Sequence, residues 1–241
     1  MIIEICASNY QSAINAQETG AQRIELCSEL AIGGVTPSYG LIKATVETLS
    51  IPVFVLIRPR SGNFTYTDSE FEIMKSNIEL CKRLGCSGIV SGVLNKDNTI
   101  DIKRTKILIE ISKPLPFTFH RAFDWTPNSS EAIKTLIKLG VVRVLTSGQE
   151  ETAEQGLNLL LGLKNQVGSK IIILPGGGIN SENIMRFKTN GFIEAHASAT
   201  TLSQVNEVPK ISMNSSKFFD ETINVVSDKI KIKNLLNISN E

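Results

Sequence analysis

The sequence predicts an α/β protein, a single-domain (β/α)8 barrel of the TIM type spanning residues 1–241, on three observations. Strand-like and helix-like runs alternate eight times, with no low-complexity linker dividing the chain. The run Val53-Phe54-Val55-Leu56-Ile57 is apolar on both faces, which suits a parallel sheet covered by helices. Gly20, Gly85, Gly140 and Gly191 each end a helical run just before a strand, a weak internal repeat of doubled βα units. An open doubly wound sheet is the rival, but it would want a GxGxxG after the first strand, and none is there.

The elements follow in order. Ile2 to Cys6 forms the first strand, and Ser8 or Asn9 caps a helix that buries Ala13, Ile14 and Ala16. Arg23 to Ser28 is the second strand. Thr36-Pro37 predicts an N-cap followed by proline at the first helical position, with Leu41, Ile42 and Val46 on the inner face. After the third strand, Thr67-Asp68-Ser69-Glu70 is a capping box. Its helix sets Phe71, Met74, Ile78, Cys81 and Leu84 on one side. Gly88 to Ser91 is the fourth strand, followed by a helix carrying Ile107, Leu108 and Ile111. Pro114 and Pro116 end that helix before the fifth strand, Phe117 to His120. Ala132, Ile133, Leu136 and Ile137 mark the next helix, and Val142 to Leu145 the sixth strand. A helix around Leu160 precedes the seventh strand, Ile171 to Leu174. Gly176-Gly177-Gly178 opens a helix with Ile184, Met185 and Phe187, and Ile193 to His196 is the eighth strand. Residues 202–241 form a variable tail: Ser203 to Ser216 is polar and predicts a loop, and Ser227 caps a last helix with Ile230, Leu235 and Leu236.

Composition narrows the function. A net charge of +1 announces no nucleic-acid surface. The longest apolar runs fall far below the roughly 18 residues of a membrane helix. Met1 leads straight into a strand, which predicts a cytoplasmic protein without a signal peptide. The four cysteines form no CxxC pair, so a zinc ribbon is not expected. Cys81 lies on the apolar face of a helix, and it and Cys86 are read as packing residues.

In a barrel, chemistry sits at the C-terminal ends of the strands. Glu4 and Cys6, Glu25 and Cys27, Arg58 and Arg60, His120, Arg121 and Asp124, Ser147, Glu194, His196 and Ser198 all fall there by pattern. Taken singly, each is equally well a satisfied buried polar group. Taken together, they predict a pocket for a small-molecule anion, because buried charges are costly unless paired. Arg58, Arg60 and Arg121 suit a carboxylate or phosphate clamp. Gly177 and Gly178 before a helix suit a phosphate seat. His120 and His196 with Glu4 and Glu25 suit acid–base catalysis, and the two carboxylates are expected to face both histidines across the mouth. Cys6 and Cys27 end neighbouring strands about 4.8 Å apart. Thiols so placed suit a soft ion such as Cu(I), a disulfide, or plain packing.

The motifs Glu4-Ile5-Cys6, Arg23 to Ser28, Gly33 to Ser38, Ile57 to Arg60, Thr118 to Asp124, Val144 to Gly148, Pro175 to Gly178 and Glu194 to Ser198 closely resemble the CutC family of copper-homeostasis proteins. The resemblance runs in order over about residues 1–200. It implies a TIM barrel, a cytoplasmic location, a homo-oligomer and a role in copper handling. It also matches Cys6 and Cys27 to the two positions proposed in the family as Cu(I) ligands. Asn63, Ser91 and Asn98 depart from the family pattern, as does the tail after Ser198. Two functions follow: copper homeostasis with Cu(I) at Cys6 and Cys27, or an enzyme acting on a small phosphorylated or carboxylated metabolite.

Overall fold

The computed structural model describes residues 1–204, 210, 211, 220 and 222–240. Eight parallel strands form the barrel: β1 (Ile2–Ala7), β2 (Arg23–Leu26), β3 (Val53–Leu56), β4 (Gly88–Ser91), β5 (Phe117–Phe119), β6 (Arg143–Thr146), β7 (Ile172–Pro175) and β8 (Glu194–Ala197). Each of the first six pairs with the next in sequence, and β8 pairs with β1; the parallel bridge from Gly176 to His196 closes the seam between β7 and β8. The helices are α1 (Tyr10–Thr19), α2 (Tyr39–Thr48), α3 (Asp68–Leu84), α4 (Ile102–Ser112), α5 (Ser129–Leu139), α6 (Leu157–Val167), α7 (Ile184–Thr189) and α8 (Lys229–Asn240).

Local chemistry sets most boundaries. Asn9, Asp101 and Asn128 each accept a first-turn N–H, and Thr67 with Glu70 completes the capping box. Gly20, Gly85 and Gly140 end their helices with φ of 93, 81 and 82°, a conformation that costs other residues energy. Two starts and one stop differ from the sequence-based expectation. Ser38 caps α2, because Thr36 is occupied with Arg58: its Oγ1 accepts from the Arg58 N–H at 2.8 Å. Asp228 caps α8, accepting from the N–H groups of Ile230 and Lys231, while Ser227 ends a strand. Asn190 rather than Gly191 caps α7.

The tail also differs. Thr200–Gln204 (β9) pairs antiparallel with Ile223–Ser227 (β10), where a loop is expected from Ser203 onward. β-Branched Thr200, Thr201, Ile223, Val225 and Val226 favour that ladder. Positions 205–209 and 212–216 of the expected loop lie outside the described residues. The hairpin is fastened to α1: Asn9 and Asn15 donate to the carbonyls of Val225 and Ser227.

Alternation along the strands divides the protein into two cores. Ile3, Ile5, Ile24, Leu26, Val53 and Val55 face outward into the large core under the helices. Inside the barrel the apolar cluster is small, consisting of Cys6, Cys27, Phe54, Leu56 and Val90. Leu145 also faces the cavity, and the charged and polar inward positions build the site. Among the described residues no helix is long and apolar enough to cross a membrane.

Candidate functional site

The barrel floor is an ion-pair network. Arg23, at the start of β2, binds the carboxylates of Glu4 from β1 and Glu194 from β8. Arg143 of β6 reaches the same Glu194 oxygen at 2.9 Å. Both guanidinium groups lie over the Phe54 ring, 5.0 and 5.2 Å from its centroid. Gly88 leaves space for that ring, since a Cβ there would stand 2.5 Å from Cε2. Glu194 therefore lies in the floor and not at the mouth: it opens β8 instead of ending it. Arg23 is two positions before Glu25 and so shares its inner face, but it is not among the expected site residues. Arg143 is overlooked as a site residue, although its parity with Leu145, two positions on, places it inside.

Above the floor sits a mixed cluster of carboxylates, imidazole and thiols. His196 Nδ1 meets Glu4 Oε1 at 2.8 Å and stands 3.8 Å from Glu25 Oε2. The sulfurs of Cys6 and Cys27 are 3.7 Å apart, both buried. Burial alone would raise the Glu4 carboxyl, but the His196 hydrogen bond and the Arg23 charge overcome it and bring its pKa down to about 2. Glu25 lacks such partners. Burial, with the Glu4 charge beside it, pushes its pKa up to about 7 against the opposing charges of His196 and Arg23. His196 goes the other way: burial works against its charge, yet Cys6, Glu4 and Glu25 together raise it well above its ordinary value. The Cys6 thiol is raised by its neighbour Cys27 and by burial. Ligand atoms of Glu4, Glu25 and His196 all lie within 4.8 Å of one another. Arg23 and His196 already engage Glu4, so the set is an internal ion-pair cluster.

The mouth opens into a cavity of about 460 Å³, a size that accommodates a small molecule. Cys6, Glu25, Arg58, His120, Arg121, Gly177, Gly178, His196 and Ser198 line it, with Phe64 and Trp125 on one side. His120 Nδ1 accepts from the Ala122 N–H at 3.1 Å, which places the ring proton on Nε2. Burial and the Arg58 charge bring the His120 pKa down to about 3, so the imidazole is neutral. It tilts against Phe64, whose ring meets Trp125 edge-on, each at 4.9 Å between centroids. Arg58 gives its Nη1 to the carbonyls of Ile32 and Gly34, both at 2.8 Å, and its Nη2 to Gly62 at 3.0 Å. Among the described residues no carboxylate pairs with it. Three buried polar atoms on the residues lining this cavity have no hydrogen-bond partner among the described residues: Glu25 Oε2, Arg58 Nε and His120 Nε2. Each such atom costs about 1–3 kcal/mol in a folded protein, so their gathering in one place calls for a functional reason.

Several expected site residues have other work. Arg60 turns away from the cavity and binds Glu70 at 2.5 Å and Asn63, because the loop places it against the start of α3. Asp124 is fully engaged: it takes Arg121 at 2.8 Å, the Ser147 N–H and hydroxyl at 3.1 and 3.0 Å, and the Thr146 hydroxyl. Ser147 is wholly buried behind Arg121, its hydroxyl oxygen accepting from Arg121 Nη2 at 2.7 Å. Both hold the β6 loop and position Arg121. Gly177 and Gly178 do line the cavity, at φ of 107 and 74°. They do not open a helix, however: α7 begins at Ile184, after an Asn180–Asn183 turn. The two carboxylates do not face both histidines. Glu4 and Glu25 gather around His196, while His120 stands on the Arg58 side among aromatic rings.

A parallel eight-stranded barrel with a polar cavity at the C-terminal strand ends is a TIM barrel carrying its site on the face that this fold uses for ligands. The profile of the CutC family matches residues 1–201, and the chain belongs to that family. It is 46% identical over 199 residues to the human copper homeostasis protein cutC homolog, covering 82% of this chain and 73% of that protein. It is 45% identical over 197 residues to the CutC family protein of Proteus mirabilis, covering 82% and 78%. The CutC crystal structure from Streptococcus agalactiae superposes with a TM-score of 0.79 at 34% identity, covering 82% of this chain and 98% of that one. A thiamine phosphate pyrophosphorylase from Pyrococcus furiosus, at 15% identity, TM-score 0.60 and 99% and 95% coverage, shares the fold alone. The match to the family profile stops at residue 201, so most of β9, together with β10 and α8, lies beyond it.

Proposed function

We propose that this protein serves copper homeostasis by holding Cu(I) as cargo between Cys6 and Cys27, in the cytoplasm. The observation that carries this reading is the 3.7 Å separation of the two sulfurs at the ends of adjacent strands. Two thiolates at such a spacing form a soft donor set, which selects Cu(I) over hard cations. Cys6 lines the cavity and offers the ion a way in; Cys27 stands behind it. A reducing compartment keeps both as thiols. The Cys6 proton is held tightly, so the ion must displace it, and binding weakens as pH falls. The association of its relatives with copper homeostasis supports the same reading.

An anaerobic Cu(I) titration against a competing chelator tests it. The wild-type chain is expected to take up a single equivalent, and Cys6→Ser/Cys27→Ser to lose it. Undiminished stoichiometry in the double variant would remove the thiol pair from the account.

A further inference from the structure

We propose that the barrel mouth also binds a small hydroxylated oxyanion, of the hydroxy-acid or sugar-phosphate class, through Arg58, Arg121, His120 and Glu25, independently of the thiol pair. Nothing in the copper reading requires these four residues, and they share one cavity wall system.

Charge makes the first part of the argument. Arg58 is a buried guanidinium whose partners are three carbonyl oxygens, and no carboxylate compensates it among the described residues. A buried cation without a counter-charge is unfavourable, and an anion in the adjoining cavity removes that cost. Arg121 supplies a second cation at the rim. Its Nε and Nη2 are tied to Asp124 and Ser147, which leaves Nη1 beside Gly177. A Cβ on Gly177 would stand 3.4 Å from that Nη1. The glycine thus keeps the approach to Arg121 clear, and its neighbour Gly178 extends the same bare backbone along the cavity wall.

Hydrogen bonding makes the second part. His120 carries its proton on Nε2 because Nδ1 accepts from the Ala122 N–H, and that Nε2–H has no acceptor among the described residues. Gly92 gives the ring its room, since a Cβ there would lie 2.7 Å from Cε1 and Nδ1. Glu25 Oε2 is an unpartnered acceptor on the same cavity. The site therefore offers two cations and a neutral donor, together with one acceptor. A bare inorganic anion uses only the donors, whereas an anion that also bears a hydroxyl uses all four. The aromatic pair Phe64 and Trp125 supplies an apolar side for a short carbon skeleton. The cavity volume of about 460 Å³ sets the ligand as a small molecule.

Calorimetry at constant ionic strength with glycerol 3-phosphate, inorganic phosphate and glycerol tests the proposal. Glycerol 3-phosphate is expected to bind more tightly than phosphate, and glycerol not to bind. Arg121→Gln changes an exposed side chain and leaves Asp124 its donors from Thr146 and Ser147; it is expected to weaken glycerol 3-phosphate binding by about ten- to hundredfold. Cys6→Ser/Cys27→Ser is expected to bind it as the wild type does. Absence of binding by both phosphorylated probes, or undiminished binding in Arg121→Gln, overturns the anion site. Equal affinity for phosphate and glycerol 3-phosphate overturns the role given to Glu25. Loss of binding in the folded double cysteine variant overturns independence from the thiols.

Discussion

Replacing Glu25 with Gln removes a carboxyl that burial holds at a pKa of about 7, against an ordinary value of 4.5. A carboxyl raised in the folded state contributes stability that is complete below its unfolded value and is lost as pH rises through its folded value. The wild type should therefore lose stability between pH 4.5 and about 7, by about 1.4 kcal/mol per unit, or about 3 kcal/mol in all. Glu25 is 4% exposed, so solvent screens little of this. Gln keeps the shape without the charge, and the difference in stability should move toward the variant as pH rises. Part of His196's raised pKa comes from Glu25, so the clean window lies below the ordinary histidine value of 6.5. From pH 4.5 to about pH 6 the variant should gain about 2 kcal/mol on the wild type. Urea unfolding of both chains at the two pH values measures it, and contributions from Glu4 and His120 cancel because both chains carry them. A difference that stays flat across the window would refute the assignment of burial as the cause.

Arg23→Met leaves the carboxylates of Glu4 and Glu194 in the barrel floor without their shared cation, and should cost about 3–5 kcal/mol in urea unfolding. A cost below about 1 kcal/mol would mean that Arg143 and His196 suffice. The two histidines should titrate in opposite directions by NMR. His120 should stay neutral until pH approaches about 3, so the stability that its burial brings is complete above its ordinary value of 6.5 and is lost as pH falls through about 3. His196 should keep its proton above 6.5, so its contribution is complete below 6.5 and is lost as pH rises through its raised value. Titration of either ring near 6.5 would contradict the burial and pairing described for it.

The parts of the fold that were legible in the sequence are those governed by short-range rules. Asn9, Thr67 and Gly85 end or start helices through hydrogen bonds and backbone conformations that involve a few neighbouring residues. Thr36 shows the limit. Its hydroxyl is a good cap by pattern, but Arg58, 22 positions away, takes it. The tail hairpin was missed for a similar reason, since β9 and β10 find each other across a segment with no strand pattern and are held by Asn9 and Asn15 from the other end of the chain.

The same division holds at the site. Sequence alone determined which residues face inward, because alternation along a strand is local: Glu4 with Cys6, Arg23 with Glu25 and Cys27, and Glu194 with His196 all lie on inner faces. It also determined the family, through motifs that stand in order along the chain. Only the tertiary structure decided which inward residue meets which, and that choice sets the chemistry. Arg23 joins Glu4 and Glu194, so these two carboxylates serve the floor; Glu25 is left without a cation of its own, and its carboxyl titrates near neutrality. Arg58 spends its donors on carbonyls and keeps its charge, while Asp124 spends its acceptors on a loop and loses its availability. Each residue type was visible in the sequence; what each was free to do depended on partners brought together by closing the barrel.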